Sequence, residues 1–272
     1  MDTTDISFIG CGNMATSIIS GLISNGYPAH QLHVADTNPA QLAAIHQRHQ
    51  GIQRYSDNTT AIIHSNTIIL AIKPQQAQTV LSELASQWQP HQLCISVMAG
   101  IELDAITTWL DNPRLAAIRV MPNTPAMLNL GASGLYANAY SNEQQRQQAM
   151  TIMQTCGIAI WLAEEQDIDA VTALAGSGPA YFFFMMEAMI EAAVSLGLTT
   201  DIARQLCHQT AIGAATMAHQ SRFDINTLRQ QVTSPGGTTA HAIEVLQSND
   251  FKQLITKAMQ AAATRSKELA KR

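Results

Sequence analysis

A glycine turn between an apolar strand and a helix is the feature that most constrains this fold. The pattern Gly10-x-Gly12-x-x-Ala15 follows an apolar run at residues 6–9 and opens a helical stretch at residues 13–25. Gly10 permits a tight turn, Gly12 lets a phosphate approach the backbone, and Ala15 lets the helix pack closely on the strand. The context favours a dinucleotide-binding α/β domain over a plain strand-to-helix turn.

Strands and helices continue to alternate after this turn. Asn38-Pro39 is a typical helix start, because Asn is a good N-cap and Pro fits the first helical turn. Apolar runs predict strands at residues 32–35, 67–72, 93–97, 115–121, 133–137 and 158–163, and helices are predicted at residues 75–87, at 102–110 and after a capping box, Ser141-x-x-Gln144. The alternation up to residue 121 predicts a parallel sheet with crossover helices, and the strands at residues 133–137 and 158–163 are two further short strands.

After residue 165 only helices are predicted, with breaks at residues 176–179, at 197, around 222–224 and at 234. The chain is therefore predicted to form a dinucleotide-binding domain over residues 1–165 and an all-helical domain over residues 166–272. The helix at residues 180–196 is apolar around most of its circumference. A helical region of this size can hardly surround such a helix alone, so a second subunit is expected to help bury it.

Composition excludes several functional classes. Charged residues make up only 13% of the 272 residues and the net charge is −5, which gives no basic field for nucleic acid or an anionic membrane. The four cysteines are widely spaced and form no metal-binding pattern, so we expect reduced, mostly buried thiols and no metal. The acidic start, Met1-Asp2-Thr3-Thr4-Asp5, is unlike a secretion signal, and the cytoplasm is the expected compartment.

Three polar positions follow predicted strands, where ligands of α/β sheets gather. Asp36 ends the second strand and could bind the ribose of NAD and repel the extra phosphate of NADP, or could simply support the next turn. Lys73, in Ala71-Ile72-Lys73-Pro74, is either a cofactor contact or an exposed lysine before a helix-starting proline. Asn123, held between two prolines in Met121-Pro122-Asn123-Thr124-Pro125, could line a nicotinamide pocket or make a turn.

A second glycine-rich helix start occurs at Ser234-Pro235-Gly236-Gly237-Thr238-Thr239. Ser234 is the expected N-cap, Pro235 fits the first helical position, and the glycines let bare backbone approach a ligand. A helix start of this kind attracts carboxylate or phosphate, although such a motif taken alone is more often only a helix cap.

Five motifs in this order and spacing resemble the pyrroline-5-carboxylate reductase family: Phe8-Ile9-Gly10-Cys11-Gly12-Asn13-Met14, Ala71-Ile72-Lys73-Pro74, Met121-Pro122-Asn123-Thr124-Pro125, Gly176-Ser177-Gly178-Pro179-Ala180-Tyr181 and Ser234-Pro235-Gly236-Gly237-Thr238-Thr239. The resemblance covers nearly the whole chain. It implies a Rossmann domain, a C-terminal helical dimerisation domain, active sites completed across the dimer, and often a higher assembly of dimers.

The resemblance also implies site residues. NADPH or NADH is expected on Gly10, Cys11, Gly12, Asn13, Met14, Ala15, Asn58, Ala71, Ile72, Lys73, Pro74, Val97, Met98 and Ala99. The substrate, 1-pyrroline-5-carboxylate, is expected on Glu165, Gly236, Gly237, Thr238 and Thr239, with the Thr239 hydroxyl reaching the ring nitrogen. Two residues depart from the family pattern: Gln231 stands where an asparagine is expected, and Asp36 does not suit NADPH.

The expected reaction is hydride transfer from reduced nicotinamide to a cyclic C=N bond, which gives L-proline. Threonine is a poor general acid, so water or an already protonated imine is the expected proton source. His241 is expected to pack or face solvent. The alternatives are another cyclic imine reductase, a β-hydroxyacid reductase, or a non-catalytic nucleotide-binding protein. A hydroxyacid enzyme would be expected to carry a lysine on the helix at residues 180–196, and none is present.

Overall fold

The computed structural model describes residues 4–270. The prediction for the N-terminal segment therefore falls partly on residues outside this range, Met1, Asp2 and Thr3. The chain divides into two compact units: the described residues up to Ser177 together with those from Ala262 onward form the first, and Gly178–Ala261 forms the second. The proposed domain boundary at residue 165 stays a prediction.

The first unit contains one eight-stranded sheet, with the strand order β3-β2-β1-β4-β5-β6-β7-β8. The strands are β1 (Ile6–Ile9), β2 (Leu32–Ala35), β3 (Gln53–Tyr55), β4 (Thr67–Leu70), β5 (Leu93–Ser96), β6 (Ala116–Met121), β7 (Gly131–Ala137) and β8 (Gly157–Trp161). The strand order reverses between β1 and β4. β1 pairs in parallel with β2 on one side and with β4 on the other, so Ile9 lies beside Ala35 of β2 and Leu70 of β4. This confirms the predicted Rossmann-like architecture and places a crevice beyond the ends of these strands.

Twelve α-helices lie within the described residues. They are α1 (Asn13–Ser24), α2 (Pro39–Arg48), α3 (Asn58–Ile62), α4 (Ala77–Leu84), α5 (Leu103–Trp109), α6 (Glu143–Gln154), α7 (Asp167–Val171), α8 (Gly178–Ser195), α9 (Thr200–Gln220), α10 (Ile225–Gln231), α11 (Thr238–Ser248) and α12 (Phe251–Ala270). A π-helical turn, Thr172–Gly176, follows α7, so the predicted break at residues 176–179 is narrower than expected. Pro179 is tolerated there because it stands in the first turn of α8.

The sheet is covered on both faces, and neighbouring strand residues contribute to opposite sides. Ile69 belongs to a core that contains Phe8 and Val34, whereas Ile68 and Leu70 belong to a second core. This period of two, with both faces covered, explains why the central strands are mostly apolar and buried along their whole length. All four cysteines are unpaired and buried, as predicted.

One prediction about local structure is wrong, and the direction of β7 was not predicted. β7 runs antiparallel to β6, because the connection at residues 122–130 is shorter than the dozen or so residues that a parallel crossover needs. The capping box of α6 is formed by Asn142 and Gln145, one residue later than predicted, because the Asn142 side chain accepts from the Gln145 amide. The predictions also omit β3 and α3, which are short and have little apolar periodicity.

The second unit is helical and has little core of its own. Its buried apolar residues are Ala203 and Cys207, and the Cys207 thiol donates to the Met186 carbonyl of α8. α8 instead exposes three consecutive aromatic rings, Phe182, Phe183 and Phe184, each by more than 60%. An apolar groove of about 590 Å³ lies between α8 and the first half of α12. So much exposed apolar surface calls for a covering partner.

Candidate functional site

The glycine turn has the backbone shape that the sequence predicts. Gly10 adopts φ +94°, and a Cβ at this position would lie 2.6 Å from the carbonyl oxygen of Ala71, the residue after β4. Only glycine therefore fits at this position. A Cβ at Gly12 would meet nothing within 4 Å, which leaves open space above the turn. Gly12 is also the N-cap of α1 and no side chain caps that helix, so its first N–H groups face this space.

A cavity of about 340 Å³ lies beside this turn. Eight of the predicted cofactor residues line it: Gly10, Cys11, Gly12, Asp36, Asn58, Ala71, Ile72 and Lys73. Six lining residues were not predicted, namely Ala35, Thr37, Asn38, Gln41, Gln76 and Val80. Thr37 and Asn38 could have been found from the sequence, because they directly follow the predicted second strand, at the edge where ligands bind.

The remaining predicted cofactor residues lie outside the lining of this cavity. Asn13 lines a neighbouring cavity, Ala15 is on the buried face of α1, and Met14 and Pro74 are half-buried. Val97, Met98 and Ala99 follow β5; Met98 is buried, Val97 is half-buried and Ala99 is exposed. Asn123 is occupied within the fold: it donates to the Ala175 carbonyl and accepts from the Ala132 amide.

Asp36 makes two short hydrogen bonds with the backbone. Its Oδ2 accepts from the Cys11 N–H at 2.7 Å, and its Oδ1 accepts from the Asn38 N–H at 2.7 Å. The carboxylate therefore supports the turn into α2, which is one of the two sequence interpretations, and also holds the glycine turn, while binding of the ribose stays a prediction. The desolvation of the Cys11 thiol, together with the nearby Asp36 charge, raises the Cys11 pKa to about 11.

The second glycine-rich turn differs from its prediction. Ser234 is not the N-cap of the following helix; α11 begins at Thr238, and Gly237 is its N-cap. Residues 234–237 form a β-turn in which the Gly237 N–H donates to the Ser234 carbonyl at 3.0 Å, with Gly236 at φ +70°. Proline followed by a residue with positive φ is the signature of a type II turn, which the Pro-Gly pair satisfies better than a helix start.

This geometry leaves an open helix start at Thr238 and Thr239. No side chain caps α11, so the N–H groups of its first turn have no partner within the helix. Thr239 is half-buried at the second position of the helix. His241 is exposed, and its Nδ1 lies 3.2 Å from the Gly237 carbonyl oxygen. The N–H of Gly237 is already used inside the turn, so an anion here would be held by Thr238 and Thr239.

Glu165 belongs to the first unit, where it forms an ion pair with a buried arginine. Its Oε1 accepts from the Arg119 guanidinium at 3.0 Å and from the Leu103 N–H, at the start of α5, at 2.9 Å. The Arg119 side chain is only 4% exposed, so Glu165 neutralises a buried cation. Sequence reasoning missed Arg119, although a charged residue inside an otherwise apolar strand is a recognisable signal.

No group of three or more His, Cys, Asp or Glu side chains that could hold a metal ion occurs within residues 4–270. Two helix starts without a side-chain cap are present, one after Gly10–Gly12 in the first unit and one at Thr238 in the second unit.

Comparison with protein families matches two parts of the chain. A family described as pyrroline-5-carboxylate reductase dimerisation matches residues 165–269. A second family, described as NADP oxidoreductase coenzyme F420-dependent, matches residues 5–100. The first match contains α8 and the Ser234–Thr239 turn, and the second contains the glycine turn and Asp36.

Comparison with whole proteins gives full-length matches. A pyrroline-5-carboxylate reductase from Pseudomonas aeruginosa is 46% identical, with 99% of this chain and 98% of that protein covered. A solved structure of a pyrroline-5-carboxylate reductase from Coxiella burnetii is 40% identical with a TM-score of 0.93, and 99% of each chain is covered. The pyrroline carboxylate reductase of Plasmodium falciparum, solved with NADP bound, is 26% identical with a TM-score of 0.87 and 99% of each chain covered.

Proposed function

Because this chain belongs to the pyrroline-5-carboxylate reductase family and is an NAD(P)H-dependent reductase of proline biosynthesis, we propose a division of labour between its two glycine-rich turns. The Gly10–Gly12 turn holds the dinucleotide, and the Ser234–Thr239 turn holds the carboxylate of 1-pyrroline-5-carboxylate. The observation that carries this proposal is the presence of two uncapped helix starts, each preceded by a glycine with positive φ.

The cofactor fits the first turn for a steric reason. Gly12 leaves open space where a Cβ would stand, and the first N–H groups of α1 point toward that space. The pyrophosphate of a dinucleotide would be held there by these N–H groups and by the positive end of the α1 dipole. Asn58, Ala71, Ile72 and Lys73 enclose the same cavity from the neighbouring elements. When bound, reduced nicotinamide supplies the hydride for the reaction.

The substrate carboxylate fits the second turn in the same way. The N–H groups of Thr238 and Thr239 offer two donors, and the α11 dipole favours an anion. Gly236 and Gly237 contribute by lacking side chains: Gly236 allows the positive φ, and a Cβ on Gly237 would lie 2.7 Å from Ser234 Oγ. Fixing the carboxylate positions the ring, and such positioning can supply several kcal/mol of the barrier.

Thr239 is proposed to hydrogen-bond the ring nitrogen while its electron density changes. Its hydroxyl can donate or accept, so it can orient the nitrogen as the C=N bond becomes a C–N single bond. A threonine hydroxyl is too weak an acid to supply the proton at neutral pH, and the proton is therefore assigned to water or to the protonated imine. Glu165 stays a predicted substrate contact; because its Oε1 is already used, only Oε2 would be available.

The test is the consumption of NADH and NADPH by the purified protein in the presence of 1-pyrroline-5-carboxylate, with L-proline identified as the product. Thr239→Ala should lower kcat strongly with an unchanged circular dichroism spectrum, and Thr239→Ser, which keeps the hydroxyl, should retain more of the activity. Full activity in Thr239→Ala would remove this residue from the mechanism. Turnover of a β-hydroxyacid but not of the imine would instead favour the alternative reductase.

The exposed apolar face of α8 is proposed to lie in the dimer interface. One helical run, Asp167–Ser195, is long and apolar enough to cross a membrane by length and composition. A dimerisation family covers residues 165–269, however, and a second subunit explains the exposed phenylalanine rings equally well. We propose a homodimer that assembles further, and sedimentation of the purified protein distinguishes a dimer from a higher assembly. The cytoplasm stays the predicted compartment.

The completion of active sites across the dimer, which the family resemblance implies, can be tested with hybrid dimers. A Gly12→Val chain lacks a working cofactor turn and a Thr239→Ala chain lacks the substrate threonine. If each site uses one turn from each subunit, a hybrid of the two chains has one intact site and regains activity. If each site lies within one chain, both sites of the hybrid stay defective and no activity returns.

A further inference from the structure

Asp36 places a negative charge in the dinucleotide cavity at the end of β2. Its carboxylate is only partly buried and lines the cavity together with Thr37 and Asn38. In Rossmann folds the residue at this position meets the ribose of the adenosine, and an acid accepts hydrogen bonds from its hydroxyl groups. Each carboxylate oxygen of Asp36 accepts one backbone N–H and keeps capacity for a further donor.

The same hydrogen bonds remove donors that a 2′-phosphate would need. A loop that binds this phosphate presents N–H groups or cationic side chains to it. Here the Asn38 N–H donates to Asp36 Oδ1, and the Cys11 N–H donates to Asp36 Oδ2. Both amides are therefore directed at a carboxylate that would itself repel a phosphate.

Positive charge near Asp36 is scarce. Among the residues described as lining this cavity, Lys73 alone is cationic. Lys73 follows β4, whereas Asp36 follows β2, and β1 lies between these two strands. Two strand spacings separate the strand ends by about 10 Å. Arg48, at the end of α2, lines the neighbouring cavity.

We propose that Asp36 makes this reductase prefer NADH to NADPH. The inference rests on the proposed dinucleotide site and concerns the choice between its two cofactors. It sets this chain apart from the family match described as an NADP oxidoreductase and from the Plasmodium falciparum structure with NADP bound. Asp36 also positions the glycine turn through Cys11, so its charge and its hydrogen bonding must be separated experimentally.

Asp36→Asn removes the charge and keeps one of the two hydrogen bonds. The single asparagine oxygen can accept from the Cys11 N–H and so still holds the glycine turn, whereas the Asn38 N–H loses its acceptor. Asp111→Asn is the matched control, because Asp111 lies in the turn before β6, whereas Asp36 lies after the end of β2, so the two residues are at opposite ends of the parallel strands. The Asp111 φ of 48° suits asparagine as well as aspartate. Asp36→Ser is a second variant, which keeps a small acceptor if the asparagine misfolds.

The measurement is calorimetric titration of each protein with NADH and with NADPH, without substrate, followed by kcat/KM for both cofactors. The wild-type chain and Asp111→Asn should bind NADH at least about tenfold more tightly than NADPH. In Asp36→Asn this ratio should fall by about tenfold or more, mainly through tighter binding of NADPH.

Three results would overturn the proposal. In the first, the wild-type chain would bind NADPH as tightly as NADH, which would assign the phosphate to Lys73. In the second, Asp36→Asn would leave the ratio of the two affinities unchanged. In the third, Asp36→Asn would weaken the binding of both cofactors equally, which would restrict Asp36 to holding the turn. If the wild-type chain binds neither cofactor, the proposed dinucleotide site itself is wrong. Binding of cofactor without reduction of the imine would contradict the proposed reaction and leave the cofactor preference measurable.

Discussion

Removal of Glu165 should destabilise the first unit through Arg119. In Glu165→Ala the guanidinium of Arg119, only 4% exposed, loses its carboxylate partner at 3.0 Å, and the Leu103 N–H at the start of α5 loses its acceptor. Breaking a buried ion pair by removing one partner costs about 3–5 kcal/mol, and an unmade hydrogen bond to a backbone N–H adds about 1 kcal/mol. Glu165 is itself 24% exposed, which lets water reach the site, so about 3 kcal/mol is expected in total.

Urea denaturation at one fixed protein concentration measures this change, because the stability of a dimer depends on concentration. Glu165→Gln, which keeps an oxygen acceptor, should lose less than Glu165→Ala. The neighbouring Glu164→Ala, at an exposed position, should change the unfolding free energy by no more than about 0.5 kcal/mol. The double variant Arg119→Met/Glu165→Ala should be more stable than Glu165→Ala alone, since no unpaired charge remains buried.

The opposite pattern would refute this reasoning. If Glu165→Ala changes stability by less than about 1 kcal/mol and raises the KM for 1-pyrroline-5-carboxylate, the residue acts on the substrate and its ion pair with Arg119 contributes little. A large loss of stability with an unchanged KM would limit Glu165 to a structural role.

Three further predictions concern the glycine turn and α8. Gly10→Ala should lower the unfolding free energy, measured by urea denaturation, by at least about 2 kcal/mol, because φ is +94° and the new Cβ would meet the Ala71 carbonyl. Gly12→Ala should leave the unfolding free energy unchanged and weaken cofactor binding, measured by calorimetric titration. Burial and the Asp36 charge raise the Cys11 pKa to about 11 from an ordinary 9.0, so the unfolded chain loses this proton at a lower pH than the folded chain. The unfolding free energy should therefore fall as pH rises from about 9 to 11, and a Cys11→Ala variant should show a shallower fall. Phe184→Asp should raise the dimer dissociation constant at least 100-fold in sedimentation experiments, because burial of one phenylalanine contributes about 1.5–3 kcal/mol and a two-fold interface contains it twice; an unchanged constant would place α8 outside the interface.

The fold could be predicted because its signals are local. The strand at residues 6–9, the glycine turn and the helix after it follow one another in the chain, and each depends on propensity, sterics or period. What the predictions omit or place wrongly depends on a longer-range contact or on a competing local one. The direction of β7 depends on its pairing with β6. The capping box of α6 forms at Asn142 because the Ser141 hydroxyl is buried and donates to the Ala117 carbonyl.

The sequence determined the parts of the site that reside in residue type and spacing. Glycine at residues 10, 12, 236 and 237 dictates where backbone can approach an anion, because only a missing Cβ allows it. The order of the five family motifs identified the reaction. Asp36 could also be singled out, but two interpretations of it stood equal.

Only the tertiary structure decided which donors and charges these residues meet. It assigned the Cys11 amide to Asp36 and paired Glu165 with a buried Arg119. The Cys11 amide and the Arg119 guanidinium come from elements far along the chain from Asp36 and Glu165, so no local pattern contains these two contacts. Hydrogen bonds and ion pairs require atoms within about 3 Å, and folding alone brings residues 11 and 36, or 119 and 165, to that distance.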